Sequence, residues 1–393
     1  MFYQLPPVGN PIHLSHTVRN ENVSQIFGDA YQPRFFASGT AALAAAITAA
    51  IQLKVVDEPE VILPAYSCPD LISAIIFAGA KPVLVDFEAD TPWMSLKLLP
   101  TKITTNTVAV IAVNLFGISE RLAPLRQLTK QADILLIEDS AQAFPSASEQ
   151  GVWQGDLVVL SFGRGKPVSL LGGGAVLYNE KNSRCIDFAS LLPTGVTPSS
   201  VNVQNRVSFW LKAKLYNWMI RPRLYWLPQN LPFLHLGETR YSPLDSIEGM
   251  DQVKLSMLTT NIKTYQDNSF SAQKNLAAML NECDLKGCGI IDLAKACKTV
   301  ETRRLLRYPL LVEPKARDHL YSQLQQLGLG PSRMYPKTLP EISGVDTLLS
   351  THDAFPAALS FSKRILTLPT HMQVKQADID KIQQLISRYQ GEI

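Results

Sequence analysis

The sequence predicts an α/β protein: a large domain on a mostly parallel sheet flanked by helices, then a smaller C-terminal α+β domain. Short apolar, β-branched runs alternate with stretches of helical spacing through the first half of the chain, the pattern of βαβ units. A length of 393 residues exceeds what one hydrophobic core organises, so two domains are expected, 1–240 and 241–393. Polar residues of catalytic type also fall just beyond the strand-like runs, where ligands gather in parallel sheets.

The totals exclude several classes. Hydrophobic residues make up 46% and charged residues 18%, a globular balance and not that of a disordered chain. A net charge of +3 is too mild for nucleic-acid binding. The five cysteines, at 68, 185, 283, 288 and 297, include no CxxC pair and read as reduced thiols rather than a disulfide framework or a metal site. The start of the chain lacks a charged-then-apolar secretion signal, and no uncharged apolar run reaches the ~20 residues of a membrane span. A cytoplasmic enzyme is the expectation.

Residues 1–32 are rich in Pro and Asn and read as an arm lying on the main body. Phe35-Phe36-Ala37-Ser38-Gly39-Thr40 then opens an Ala-rich helix over 41–51, with capping chemistry and strong helix formers behind it. Its first turn offers N–H groups and a positive dipole end, which suit a phosphate. Taken alone, Ser-Gly-Thr is more often a plain N-cap. Strand-like runs follow at 61–64, 83–86, 108–113 and 134–137, with helical spacing at 70–78 and 121–131. The first of these strands ends in the turn Ala65-Tyr66-Ser67-Cys68-Pro69, and the last at Glu138-Asp139-Ser140-Ala141-Gln142.

The densest signal is Val158-Val159-Leu160-Ser161-Phe162-Gly163-Arg164-Gly165-Lys166, with Gly172-Gly173-Gly174-Ala175-Val176 close behind. A lysine held between two strand-like runs loses water, and desolvation favours its neutral amine. Such an amine is a candidate nucleophile for a Schiff base.

Residues 207–236 differ in character. Trp210, Trp218 and Trp226 interleave with Lys212, Lys214, Arg221 and Arg223, and prolines stand at 222, 228 and 232. The pattern suits an interfacial membrane contact or a segment packed against a second subunit or over the site, and the second use is the more ordinary. Helical spacing resumes over 244–283, and the remainder, with 305–312, 318–327 and 378–389, alternates strand and helix.

Four of these pieces meet the needs of one cofactor. A helix start can seat a phosphate, Asp139 can pair with a pyridinium nitrogen, Gln142 can reach a ring hydroxyl, and Lys166 can form an imine with an aldehyde. Those are the demands of pyridoxal phosphate (PLP), whose ring accepts electrons best while its nitrogen stays protonated.

The same stretches resemble the DegT/DnrJ/StrS family of PLP-dependent, mostly sugar, aminotransferases of aspartate aminotransferase-like fold type I. The likeness is carried by Ser38-Gly39-Thr40-Ala41-Ala42-Leu43, by Ala78-Gly79-Ala80-Lys81-Pro82-Val83-Leu84-Val85-Asp86 and by Glu138-Asp139-Ser140-Ala141-Gln142-Ala143. It continues through Ser161-Phe162 to Lys166, Gly173-Gly174-Ala175-Val176 and Ile365-Leu366-Thr367-Leu368-Pro369-Thr370-His371, which Asp378-Ile379-Asp380 follows. The resemblance implies that Lys166 carries the cofactor as a Schiff base and that Asp139 faces its ring nitrogen. It further implies that Gln142 faces the ring hydroxyl and that Gly39, Thr40, Ala41 and Ser161 surround the phosphate. It also implies ping-pong transfer of an amino group from glutamate or glutamine to a nucleotide-linked keto-sugar, in polysaccharide or secondary-metabolite synthesis, by a homodimer.

Three places depart from that pattern. Cys68 stands where an aromatic side chain often stacks on the ring, so Tyr66 is the candidate to share that role. Gly172 replaces an acidic residue of the glycine run. Glu238 takes the place of an Asn that the second subunit lends to the phosphate, which leaves Arg240, Asn202 or Asn205 as substitutes; Arg164 and Arg240 are candidates for the substrate or the neighbouring subunit. A sugar dehydratase is the alternative within the same cofactor class, although such relatives replace the lysine by His or add an iron–sulfur cluster. Cys283, Cys288 and Cys297 are too widely spaced for the usual cluster runs. A non-catalytic regulatory or interaction protein is the alternative outside it.

Overall fold

The computed structural model describes residues 3–14, 26–28, 30–146, 153–179, 187–194, 203–230, 239–298, 303–349 and 353–389. The first sheet has seven strands: β1 (Tyr31–Phe36), β2 (Glu60–Pro64), β3 (Lys81–Val85), β4 (Thr107–Val113), β5 (Leu135–Asp139), β6 (Leu157–Ser161) and β7 (Gly174–Asn179). Their spatial order is β1-β7-β6-β5-β4-β2-β3, and only β7 runs against its neighbours. The carboxyl ends of β4, β5 and β6 therefore lie side by side, with Val113 paired to Asp139 and Asp139 to Val159.

Helices cover both faces of this sheet because its strands are apolar on both sides. In β4, Ala109, Ile111 and Val113 face the layer holding α1 (Gly39–Leu53) and α2 (Asp70–Phe77). The alternate residues Val110 and Ala112 face the layer of α3 (Leu99–Lys102) and α4 (Leu122–Gln131). In β6 and β7, Val158, Leu160, Ala175 and Leu177 face a third cluster, built from α6 (Val203–Met219) and α8 (Gln252–Asp267). Short helices α5 (Phe188–Leu191) and α7 (Trp226–Gln229) flank α6.

A second, antiparallel sheet has the order β10-β9-β8, from β8 (Ile290–Asp292), β9 (Arg307–Val312) and β10 (Ile365–Pro369). Around it lie α9 (Ser271–Glu282), α10 (Leu293–Ala296), α11 (Pro314–Gln326), α12 (Pro356–Arg364) and α13 (Gln376–Tyr389). Two sequence expectations need adjustment. The helical stretch expected over 244–283 begins at Gln252 and is split between α8 and α9. By packing, α8 belongs with the first sheet, through Val253, Met257, Leu258 and Ile262, and not with the C-terminal part that was expected to begin at 241.

Candidate active site

α1 supplies the first wall of the site. It is buried along nearly its whole length, and only alanine at 41, 42, 44, 45, 46, 49 and 50 lets it sit so close to the sheet. Ser38 caps it: its Oγ accepts from the Ala41 N–H at 3.0 Å, and the Ala42 N–H reaches the Ser38 carbonyl at 3.0 Å. Gly39 is required by contact. A Cβ there would lie 2.7 Å from Ser161 Cβ and 2.8 Å from Ser161 Oγ, closer than real side chains approach. The helix start thus abuts the end of β6.

The carboxyl end of β5 supplies the acid. Its last two residues point to opposite sides of the sheet. Glu138 is braced by Asn114 Nδ2 at 2.9 Å and by the N–H groups of Gln154 and Gly155 at 2.9 and 3.0 Å. Asp139 instead lines a cavity of about 330 Å³, and its carboxylate accepts from the Ala141 N–H at 2.9 Å. Burial pushes the Asp139 carboxyl above its ordinary range; the Ala141 N–H and the charge of Lys166 act the other way.

Lys166 lies in the irregular turn between β6 and β7 and is half-buried against the same cavity. Asn10 of the N-terminal strap reaches the next residue, with Nδ2 donating to the Pro167 carbonyl at 3.0 Å. Ser38, Gly39, Thr40, Asp139, Gln142, Ser161, Arg164, Lys166 and Cys68 all line the one cavity, so the structure brings together most of the residues singled out from sequence. Cys68 is a neutral thiol there: burial, with Asp70 nearby, pushes it up to about 12.

Three candidates lie elsewhere. Ala41 is buried beneath the cavity wall and its N–H is taken up by Ser38. Tyr66 is a core residue. Its ring packs edge-on against Phe87, Tyr335 and Phe361, and its hydroxyl accepts from the Tyr335 N–H at 3.3 Å. That arrangement removes it from the ring-contact role expected in place of an aromatic at 68. Arg240 is exposed and does not line the cavity. Asn205 is exposed on α6, while Asn202 and Glu238 lie outside the described residues.

Two residues that sequence reasoning missed belong here. Tyr335 lines the cavity, and its hydroxyl accepts from Gln142 Nε2 at 3.1 Å, while Gln142 Oε1 accepts from the Phe116 N–H at 3.0 Å. Both ends of the Gln142 amide are therefore engaged. Lys254 on α8 reaches Gly172: a Cβ on residue 172 would meet the flexible end of that side chain, Nζ, at 2.7 Å, but it is the φ of +143° that calls for glycine.

Next to this cavity lies a second one of about 570 Å³, under α6 and α7, which shares Arg164 with the first. Its walls are mostly apolar, yet Lys212 and Arg307 also line it, and no acidic side chain does among the described residues. Arg307 Nε is buried without a hydrogen-bond partner among the described residues, and burial holds the guanidinium below its ordinary pKa.

The chain matches the model of the DegT/DnrJ/EryC1/StrS aminotransferase family over residues 33–192 and 249–387. It is 33% identical over 156 residues to GDP-perosamine synthase of Escherichia coli O157:H7, a match that spans 38% of this chain and 42% of that protein's length. Among solved structures, Helicobacter pylori PseC, an aminotransferase involved in the biosynthesis of pseudoaminic acid, superposes with a TM-score of 0.71. That likeness covers 99% of this chain and 100% of the other, at 15% identity. Spr1654 of Streptococcus pneumoniae, in its PLP form, gives 0.69 at 19% identity, with 99% of each chain covered. At these identities the structural likeness speaks for the fold.

Proposed function

The chain belongs to the DegT/DnrJ/EryC1/StrS aminotransferase family, and on that premise we propose that it is a PLP-dependent aminotransferase. It moves an amino group from an amino-acid donor, glutamate or glutamine, to a keto-sugar that is nucleotide-linked. The observation that carries the reading is the convergence of the α1 start, Asp139 and Lys166 on one cavity.

The residues fit the cofactor. Ser38, Gly39, Thr40 and Ser161 form a seat for its phosphate, with no Cβ at Gly39 to fill it. Asp139, with one N–H bond among the described residues, holds a proton on the ring nitrogen by its charge. When bound, the cofactor supplies an electron sink and carries the amino group between the two substrates. Lys166 Nζ holds it in place and moves the proton at the substrate's amino-bearing carbon. Cys68 and Tyr335 bound the cavity near Gln142 without charge.

The acceptor side falls to the neighbouring cavity. Cations in apolar walls, with no lining acid among the described residues, favour a ligand with an anionic group, as a nucleotide diphosphate has, and Arg164 borders both spaces.

Replacing Lys166 by Ala tests the reading. The variant is expected to lose the glutamate-dependent bleaching of the cofactor's visible absorbance and to slow amino transfer by on the order of 10³-fold. Amino transfer at the wild-type rate in K166A would sink the assignment.

A further inference from the structure

The family match skips residues 193–248, and that segment has a chemistry of its own. From residue 188 to residue 237 there is no Asp or Glu, but there are five cations: Arg206, Lys212, Lys214, Arg221 and Arg223. Within it, α6 is apolar on two faces. Phe209 and Ala213 turn inward and pack on the layer that covers β6 and β7. Four-residue spacing sets Val207, Leu211 and Leu215 on the opposite face, with Trp210 and Trp218 beside them. These five are between 38% (Trp210) and 57% (Leu211) exposed, and they are half of the ten large exposed hydrophobic side chains among the described residues. Lys214 sits within the stripe, its Nζ 3.7 Å from the centre of the Trp210 ring.

We propose that α6 docks the protein on an anionic lipid bilayer surface, with the stripe from Val207 to Trp218 at headgroup depth and Arg206, Lys214 and Arg221 against lipid phosphates. A contiguous apolar stripe on a solvated helix calls for cover. Tryptophan interleaved with Lys and Arg suits a boundary that is apolar on one side and wet on the other. A two-fold contact with a second copy, the more ordinary use of such a segment, would set cation facing cation wherever this acid-free helix met its own copy across the axis. A bilayer with anionic headgroups meets the apolar and the basic residues together. The contact is interfacial, because no helix among the described residues is long and apolar enough to cross a membrane. Docking also gives the segment a place in the enzyme: Lys212, Leu215, Tyr216 and Met219 line the second cavity, so its roof would lie at the membrane surface.

The test is cosedimentation of the full chain with vesicles of phosphatidylglycerol mixed with phosphatidylcholine, against vesicles of phosphatidylcholine alone. At least about tenfold stronger partition to the anionic vesicles is expected, with a blue shift of tryptophan fluorescence and weakening as salt rises. Two variants address exposed positions outside both cavities: Val207→Ser with Leu211→Ser, and Arg206→Glu with Lys214→Glu. Each should lower the partition about tenfold and leave amino transfer in solution unchanged. Equal partition to the two vesicle types would overturn the proposal. So would variants that bind vesicles like the wild type but sediment as a smaller species, which would assign the stripe to a second copy of the chain. The assay reads binding rather than turnover, so its failure leaves the aminotransferase reading standing.

Discussion

Burial holds the Asp139 carboxyl above its ordinary range, with one N–H and the Lys166 cation to offset the lost water. A carboxylate kept there only for structure would weaken the fold when neutralised. One kept for chemistry would not, because an incompletely paired buried charge costs stability. Asp139→Asn preserves the shape, so the two roles separate: kcat should fall about 10²-fold or more while the melting temperature stays level or rises. A drop in both would point to a structural carboxylate. Asp139 was legible in the sequence as an acid just beyond an apolar strand-like run, a place where an Asp can equally cap a turn, and only the company of Gln142, Lys166 and the helix start singled it out. Tyr66 was not, because nothing local decides whether a side chain in the turn after β2 faces the cavity or the core. That choice is made by Phe87, Tyr335 and Phe361, distant in sequence, and the same distance hid Tyr335 itself.

At the scale of elements, the strands β2 to β6 could be read from composition because each is a nearly unbroken apolar run, and α2 and α4 from their helical spacing. β1 could not. Its four central residues are only partly buried and include Gln32, Pro33 and Arg34, so it has neither an apolar run nor clean alternation, and it exists by pairing with β7 at the sheet edge. The Ser-Gly-Thr start of α1 was readable as a cap, but the contact that fixes Gly39 was not. That contact makes a prediction about the element. Gly39→Ala places a Cβ 2.7 Å from Ser161 Cβ, so the helix start must move off β6. A loss of about 1–3 kcal/mol in unfolding free energy is expected, together with weaker PLP binding by titration. Adding Ser161→Gly should restore part of the stability, since it removes the clashing atom. If G39A binds PLP as tightly as the wild type, the phosphate seat lies elsewhere.

Across the whole molecule, the strap of residues 3–14 ties distant parts together. The Tyr3 hydroxyl donates to Asp378 at 2.9 Å, the Leu5 N–H to the Gly328 carbonyl at 2.8 Å, Asn10 to Pro167 beside Lys166, and the His13 N–H to Asn261 on α8 at 2.8 Å. His371 is the titratable member of this closure. It is buried, its Nε2 lies 2.8 Å from the Pro6 carbonyl and donates to it, and its Nδ1 accepts from the Gln373 N–H at 3.3 Å. Only the neutral ring can do both, and burial lowers its pKa from 6.5 to about 4. The sign follows: above pH 6.5 the ring is neutral whether folded or unfolded, and the strap contact is intact. As pH falls from 6.5 towards 4 the unfolded chain takes up a proton that the folded one refuses, so about 3 kcal/mol of stability is lost over that window. The buried carboxyls of Glu120, Glu138, Asp139 and Asp292 are all pushed upward and work in the opposite sense, gaining protons in the folded state first. The wild-type pH profile alone therefore cannot isolate the histidine. His371→Gln can: subtracting its unfolding free energy from that of the wild type at each pH should leave a difference that is flat above pH 6.5 and falls between 6.5 and about 4. A difference that stays level across that window would mean that the ring takes up its proton as readily in the folded strap as in the unfolded chain.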